Sequence, residues 1–195
     1  MATTSKAQIV TTDTNICQGD VFHDVRYAYI DSEDNDSVEI VELNFPMAII
    51  VSQACDVNSM GEMISAQSGR ATKFMPSILM CPIYNEGLAK KSEHLNNVFT
   101  ELNIQRSVTP NDILFNSEEF KIVQKDWHYR YHALTVELSG DIALQNAMID
   151  FKHYFTVPAS YLMKIRNNRL FHLEDLFAEQ ITLKFSTYLA RVAIP

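Results

Sequence analysis

The sequence predicts a mainly β fold of the α+β class, with a helical insertion and a C-terminal amphipathic helix. Three observations predict it. Met47–Val51 is an unbroken apolar run, MAIIV, that suits a strand covered on both faces, because a half-exposed strand alternates. Segments rich in Val, Ile, Tyr and Phe recur between turn residues along much of the chain. The apolar spacing changes to three and four residues at 86–105 and again beyond Glu174, the period of helices with one buried face. A length of 195 residues can bury a substantial core and needs only one, so residues 1–195 are read as a single domain.

Taken in order, the first dozen residues read as loosely ordered, and Gly19-Asp20 as a turn. Val21–Ile30 and Val38–Leu43 flank DSEDNDS and predict a β-hairpin. Its tip carries Asp31, Glu33, Asp34 and Asp36, a solvated charge block or a docking loop for a basic partner. The strand Met47–Gln53 follows, then a polar stretch from Asn58 to Lys73, then the strand Ser77–Tyr84. Pro82, lacking the ladder donor, marks an edge or bulge in it. From Glu86 to Ile104, Leu88, Leu95, Val98, Phe99 and Leu102 recur at helical spacing and define the insertion. Strands are expected again at Phe120–Val123, Trp127–Leu138 and Ala147–Val157, with Ser139-Gly140-Asp141 as a turn. In the last of these, alternation puts Ile149, Phe151, Phe155 and Val157 inward, His153 with them as a hydrogen-bonded core histidine, and Asp150, Lys152 and Thr156 outward. Pro158 can open a short helix through Met163. The final helix begins near Glu174 and Asp175, whose charges suit the positive end of its dipole, and turns Phe177, Ile181, Phe185, Tyr188 and Val192 to the core.

Composition narrows the function. A net charge of -8 argues against a broadly basic nucleic-acid surface, so any RNA contact needs a local basic patch. No apolar run approaches a bilayer span, and the N-terminus lacks the pattern of a secretory leader, so a cytoplasmic protein with no membrane contact is expected. Cys17, Cys55 and Cys81 are odd in number and widely spaced, which fits reduced thiols. No cofactor is expected. His128 and His132 lack a firmly spaced third ligand, so no metal site is assigned to them.

Candidate site residues lie in two places. Ser52, Gln53, Cys55 and Asp56 emerge where the apolar strand leaves the core. Cys55 is a nucleophile if a base or cation comes near it, and otherwise a small buried residue; Asp56 is an acid or base, or a turn cap. The run WHYRYH, read as a strand, puts His128, Arg130 and His132 on one face and Trp127, Tyr129 and Tyr131 on the other. The first row could bind phosphate and move protons, and the aromatics, with Lys152, could hold bases. A polar outer face over a packed aromatic one is the alternative.

The order GDVF at Gly19–Phe22, MAIIVSQ, ILMCPIY, AMIDFKHYFTVPASYL and a last amphipathic helix resembles the MazF/PemK-like growth inhibitors. The match is most specific at Pro46–Ser52 with Ile78–Tyr84. The resemblance implies a small SH3-like antiparallel β-barrel, a homodimer, and a place in a bacterial toxin-antitoxin or phage-defence module. The catalytic positions depart from the family pattern. Phe45 stands where RNA-cutting members carry an arginine, Tyr84 replaces the threonine closing the PIT motif, and Phe155 replaces the late arginine, while Thr156 aligns. Without those cations little remains to stabilise a phosphorane-like charge. The resemblance therefore implies a degenerate barrel that binds a protein partner, or a divergent endoribonuclease using Asp56, His128, Arg130 and His132; a cysteine-dependent hydrolase is a third reading.

Overall fold

A computed structural model describes residues 4–11, 15–34, 37–59, 75–91, 93–95 and 115–191. The apolar runs become an eight-stranded mixed sheet: β1 (Ser5–Gln8), β2 (Asp20–Asp34), β3 (Ser37–Ile50), β4 (Ser77–Asn85), β5 (Tyr131–Leu138), β6 (Asp141–Asp150), β7 (Phe155–Pro158) and β8 (Arg169–Leu173). Neighbours run β3-β2-β8-β1-β5-β6-β4-β7, and β3 also pairs with β4 from Ala48–Pro82 to Ile50–Met80. The resemblance implies an antiparallel sheet, and the observed sheet is instead mixed, because β1 lies parallel to β5. That strand also corrects the loose N-terminus: Ser5 and Ala7 are buried between β8 and β5.

Alternate residues of the strands point into three buried clusters, of which two flank the central strands. Val21, Ile49, Cys81 and Ile149 face one that α4 (Asp175–Leu189) covers with Ala178, Ile181 and Phe185. Phe22, Ile50, Met80 and Phe155 face a second that α3 (Ala159–Lys164) closes with Leu162. Both faces being covered is why MAIIV is continuous rather than alternating. Pro82 fits its strand because β4 changes partner there: β7 pairs with Ser77–Met80 and β6 with Ile83–Asn85, so the missing N–H falls at the handover. Gly19 (φ +85°) lets the chain enter β2 against α4, where an added Cβ would lie 2.6 Å from Ala178 Cβ. Ser139 and Gly140, both at positive φ, make the tight β5–β6 turn.

Three expectations change. Phe120–Val123 is helical, within α2 (Ser117–Gln124), because Asn116 and Glu119 form a reciprocal capping box that the strand reading overlooked. The strand expected from Trp127 begins only at Tyr131. Ala147–Val157 is two strands, split by a 3-10 turn at Phe151–His153. The insertion at 86–105 starts as α1 (Glu86–Lys90), capped by Asn85, followed by a 3-10 turn at Glu93–Leu95; residues 96–114 lie outside the described ones. No helix among the described residues is long and apolar enough to cross a membrane.

Candidate functional site

Asp150 closes β6 with no solvent exposure, the opposite of the outward position that alternation assigns it. The 3-10 turn after it breaks the strand period. A carboxylate so buried needs partners, and three groups supply them. Arg130 donates Nε–H to Oδ1 at 2.7 Å and Nη2–H to Oδ2 at 2.6 Å. The Lys152 backbone N–H donates to Oδ1 at 3.0 Å, and His153 Nδ1 lies 3.1 Å from Oδ2. The Tyr84 hydroxyl is 3.3 Å from the same ring nitrogen. The Phe151 N–H, donating to the Arg130 carbonyl at 3.0 Å, ties the turn to the segment before β5.

Burial lowers the His153 pKa against the pull of Asp150, and the charges of Arg130 and Lys152 add to the lowering. Its ring is therefore neutral at pH 7, and the carboxylate selects the tautomer with the proton on Nδ1. Burial, reinforced by Asp150, also pushes the Tyr84 phenol far up, so it stays protonated.

In front of this cluster lies a cavity of about 200 Å³ lined by Tyr27, Leu43, Phe45, Tyr84, His153, Tyr154 and Phe155. Phe45 and Phe155 stack at 4.3 Å between centroids with planes 17° apart. Phe45, Tyr84 and Phe155, which the sequence comparison set apart, thus come together at one cavity. Thr156 alternates away from it to solvent. Arg130, behind the His153 wall, is committed to Asp150, so among the described residues the lining offers apolar and aromatic faces and one neutral imidazole and holds no Lys or Arg.

The WHYRYH residues do not form one row. Arg130 turns to Asp150. His128 packs by stacking on Tyr129 and against Phe115 and Tyr131, its Nδ1 accepting the Arg130 N–H at 3.1 Å. Burial, then the charges of Arg130 and Lys184, lower its pKa. His132 belongs to a separate cluster, 3.0 Å from Asp126 Oδ1, where Lys184 also pairs with that carboxylate and donates to the Tyr131 carbonyl. Burial alone would raise the Asp126 pKa, but hydrogen bonds from His132 and Lys184 hold it below the usual range. Trp127 and Tyr129 are exposed, each with a cation over its ring, Lys125 and Arg191 respectively. Tyr131 is buried and unavailable for stacking a base, and Lys152 is exposed.

Cys55 and Asp56 lie in the helical turn 54–59 after β3, both exposed, with Sγ 3.6 Å from Asp56 Oδ1. Burial is thus not the reason for Cys55; Cys81 is the buried cysteine. Cys55 borders a cleft of about 750 Å³ with Gln18, Ser52, Thr182 and Ser186. No histidine lines it, so no imidazole stands ready to take a thiol proton. Among the described residues no group of three or more His, Cys, Asp or Glu could hold a metal ion.

A second buried acid, Asp20, was also hidden in the sequence within GDVF. It accepts Arg169 Nη1–H at 2.9 Å and the Cys17 N–H at 2.8 Å on Oδ2, while His172 Nδ1 lies 3.0 Å from Oδ1. Arg169 also donates to the Asn15 and Thr11 carbonyls and so ties the N-terminal segment to β8.

Comparisons of the chain with family models, curated proteins and solved structures found no match.

Proposed function

We propose that this chain is a degenerate MazF/PemK-like, SH3-like barrel protein that works by binding a protein partner, in a bacterial toxin-antitoxin or phage-defence setting. One observation carries the reading. The positions that the resemblance assigns to RNA cleavage converge on an aromatic cavity whose described lining holds no Lys or Arg, and the Arg130 behind its His153 wall is paired with Asp150. Phosphoryl-oxygen chemistry needs donors free to follow developing charge, whereas a small aromatic cavity suits an apolar side chain as an anchor. The pairing of β3 with both β2 and β4 supports the barrel part of the reading.

The test is expression from a tight promoter with RNA 5′-end mapping, alongside co-expression with the products of neighbouring genes. The expected result is unchanged RNA and a stable complex that Tyr154→Glu, at the exposed rim of the cavity, dissociates. New sequence-biased RNA ends that disappear in Arg130→Ala/His153→Ala would overturn it in favour of the endoribonuclease reading.

A further inference from the structure

Beyond Val25 and Phe45, β2 and β3 leave the rest of the sheet. The other neighbour of β2, β8, reaches only Asp20–Phe22, and the other neighbour of β3, β4, only Ala48–Ile50. The two strands continue as a ribbon paired with each other through Tyr27–Leu43, Tyr29–Val41 and Ile30–Ile40. Tyr161 steadies its base by accepting the Arg26 N–H at 2.9 Å. Farther out, among the described residues, neither edge has a ladder partner. One face of the ribbon packs Tyr27, Tyr29 and Val41 against the second core, while the other exposes aliphatic surface. Ile30 and Ile40 face each other across the strands at 61% and 62% exposure, with Val38 at 51%.

Natural sheets protect open edges with lysines, prolines or a covering element. Among the described residues no such cover lies on the ribbon, and its charge states the chemistry of a partner that would supply one. Residues 26–45 hold six acidic side chains against one basic, Arg26, a net of -5 out of -8 for the whole chain. Asp31, Glu33, Glu39 and Glu42 are exposed beside the aliphatic pair. Such a surface repels acidic segments and most copies of this chain, and attracts a cationic one.

We propose that the β2–β3 ribbon docks a basic, extended segment of a partner protein, added as a further strand. Its backbone completes an open edge, its apolar side chains cover Ile30, Val38 and Ile40, and its Lys or Arg side chains meet Glu33, Glu39 and Glu42. This rests on the protein-binding reading above and names the partner's chemistry.

Selection from a random-peptide display library on the purified protein tests it, with Glu33→Lys/Glu39→Lys/Glu42→Lys and Ile30→Ser/Ile40→Ser as comparison proteins. All five positions are exposed, and thermal melts establish that both variants remain folded. The expected winners carry several Lys or Arg among alternating apolar residues. They bind at least about tenfold more weakly to either variant and weaken steeply with salt. Winners without excess positive charge, winners indifferent to both variants, or no winner above the charge-reversed control would each overturn the proposal. Winners indifferent to the ribbon but lost in Tyr154→Glu would overturn it while leaving the protein-binding reading intact. RNA cleavage in the preceding assay would remove that reading separately.

Discussion

Asp20 and Asp150 sit at different ends of the sheet and recruit the same two side-chain types. Each is buried, each is held by an arginine, and each has a histidine Nδ1 close by, at 3.0 Å for His172 and 3.1 Å for His153. The histidines nevertheless titrate in opposite directions. The Asp20 bond raises the His172 pKa against burial, and Asp175, 3.6 Å from Nε2, adds to the rise. For His153 burial is the larger effect, and Arg130 and Lys152 lie near enough to oppose Asp150. The lesson is that a carboxylate contact alone does not charge a histidine; the balance between that contact and burial decides. The first cluster is a clamp holding the N-terminal segment, β2, β8 and the start of α4 together. The second sets a neutral imidazole at the wall of a cavity.

The largest expected effect separates the two arginines. Asp20→Ala takes a carboxylate from Arg169, whose side chain is 1% exposed, and is expected to cost about 3–5 kcal/mol. Asp150→Ala leaves Arg130, at 17% exposure, some access to water and falls toward the lower end of that range. Urea midpoints of the two variants measure the difference, and a smaller loss for Asp20→Ala would reverse the ranking of the clusters.

Next comes the glycine before Asp20. Gly19→Ala brings a methyl group 2.6 Å from Ala178 Cβ at φ +85° and is expected to destabilise by about 2–3 kcal/mol. Gly140→Ala has φ +94° but open space around it, so only backbone strain of about 1 kcal/mol applies. Equal losses in thermal unfolding would mean that the approach of α4 to the clamp carries no cost.

The pH dependence sharpens the contrast more finely. A raised folded pKa makes the His172 contribution fully present below about pH 6.5, the unfolded value, and lost as pH rises through the folded value. A lowered one makes protonation of His153 favour unfolding, so its contribution is present above about pH 6.5 and lost as pH falls through the folded value. His172→Gln should therefore destabilise more at pH 5 than at pH 8, and His153→Gln more at pH 8 than at pH 5. Parallel profiles for the two variants would contradict the assignment.

The smallest effect tests the role given to the second neighbour. Asp175 is 93% exposed, so Asp175→Asn should change stability by no more than about 0.5 kcal/mol. It should still lower the His172 titration midpoint measured by NMR. An unmoved midpoint would assign the whole rise to Asp20.

Much of the architecture was legible because local pattern and burial agree. The run at Met47 reads as doubly covered, and Ile49 and Ile50 do enter different cores. Ser77–Tyr84, the Pro158 helix start and the last helix were legible for the same reason: each announces itself within a few residues by period or cap. The misreadings share a cause as well. Trp127–Arg130 alternates like a strand, but among the described residues no strand pairs with it, and alternation cannot report that. Asn116 and Glu119 carried a legible capping signal that Phe120–Val123 outweighed through its β-forming residues.

The sequence by itself determined a β-rich chain with apolar strands, a terminal helix and an acidic hairpin, since periodicity and turn chemistry act over a few residues. Only the tertiary structure decided what the polar residues do. Asp20 finds Arg169, and Asp150 finds Arg130, across 149 and 20 positions of chain. Phe45, Tyr84 and Phe155 share one cavity although each lies on a different strand. The physical reason is that strand order and register set which distant residues meet. Burial then fixes their charge by removing water, a term that no local sequence pattern encodes.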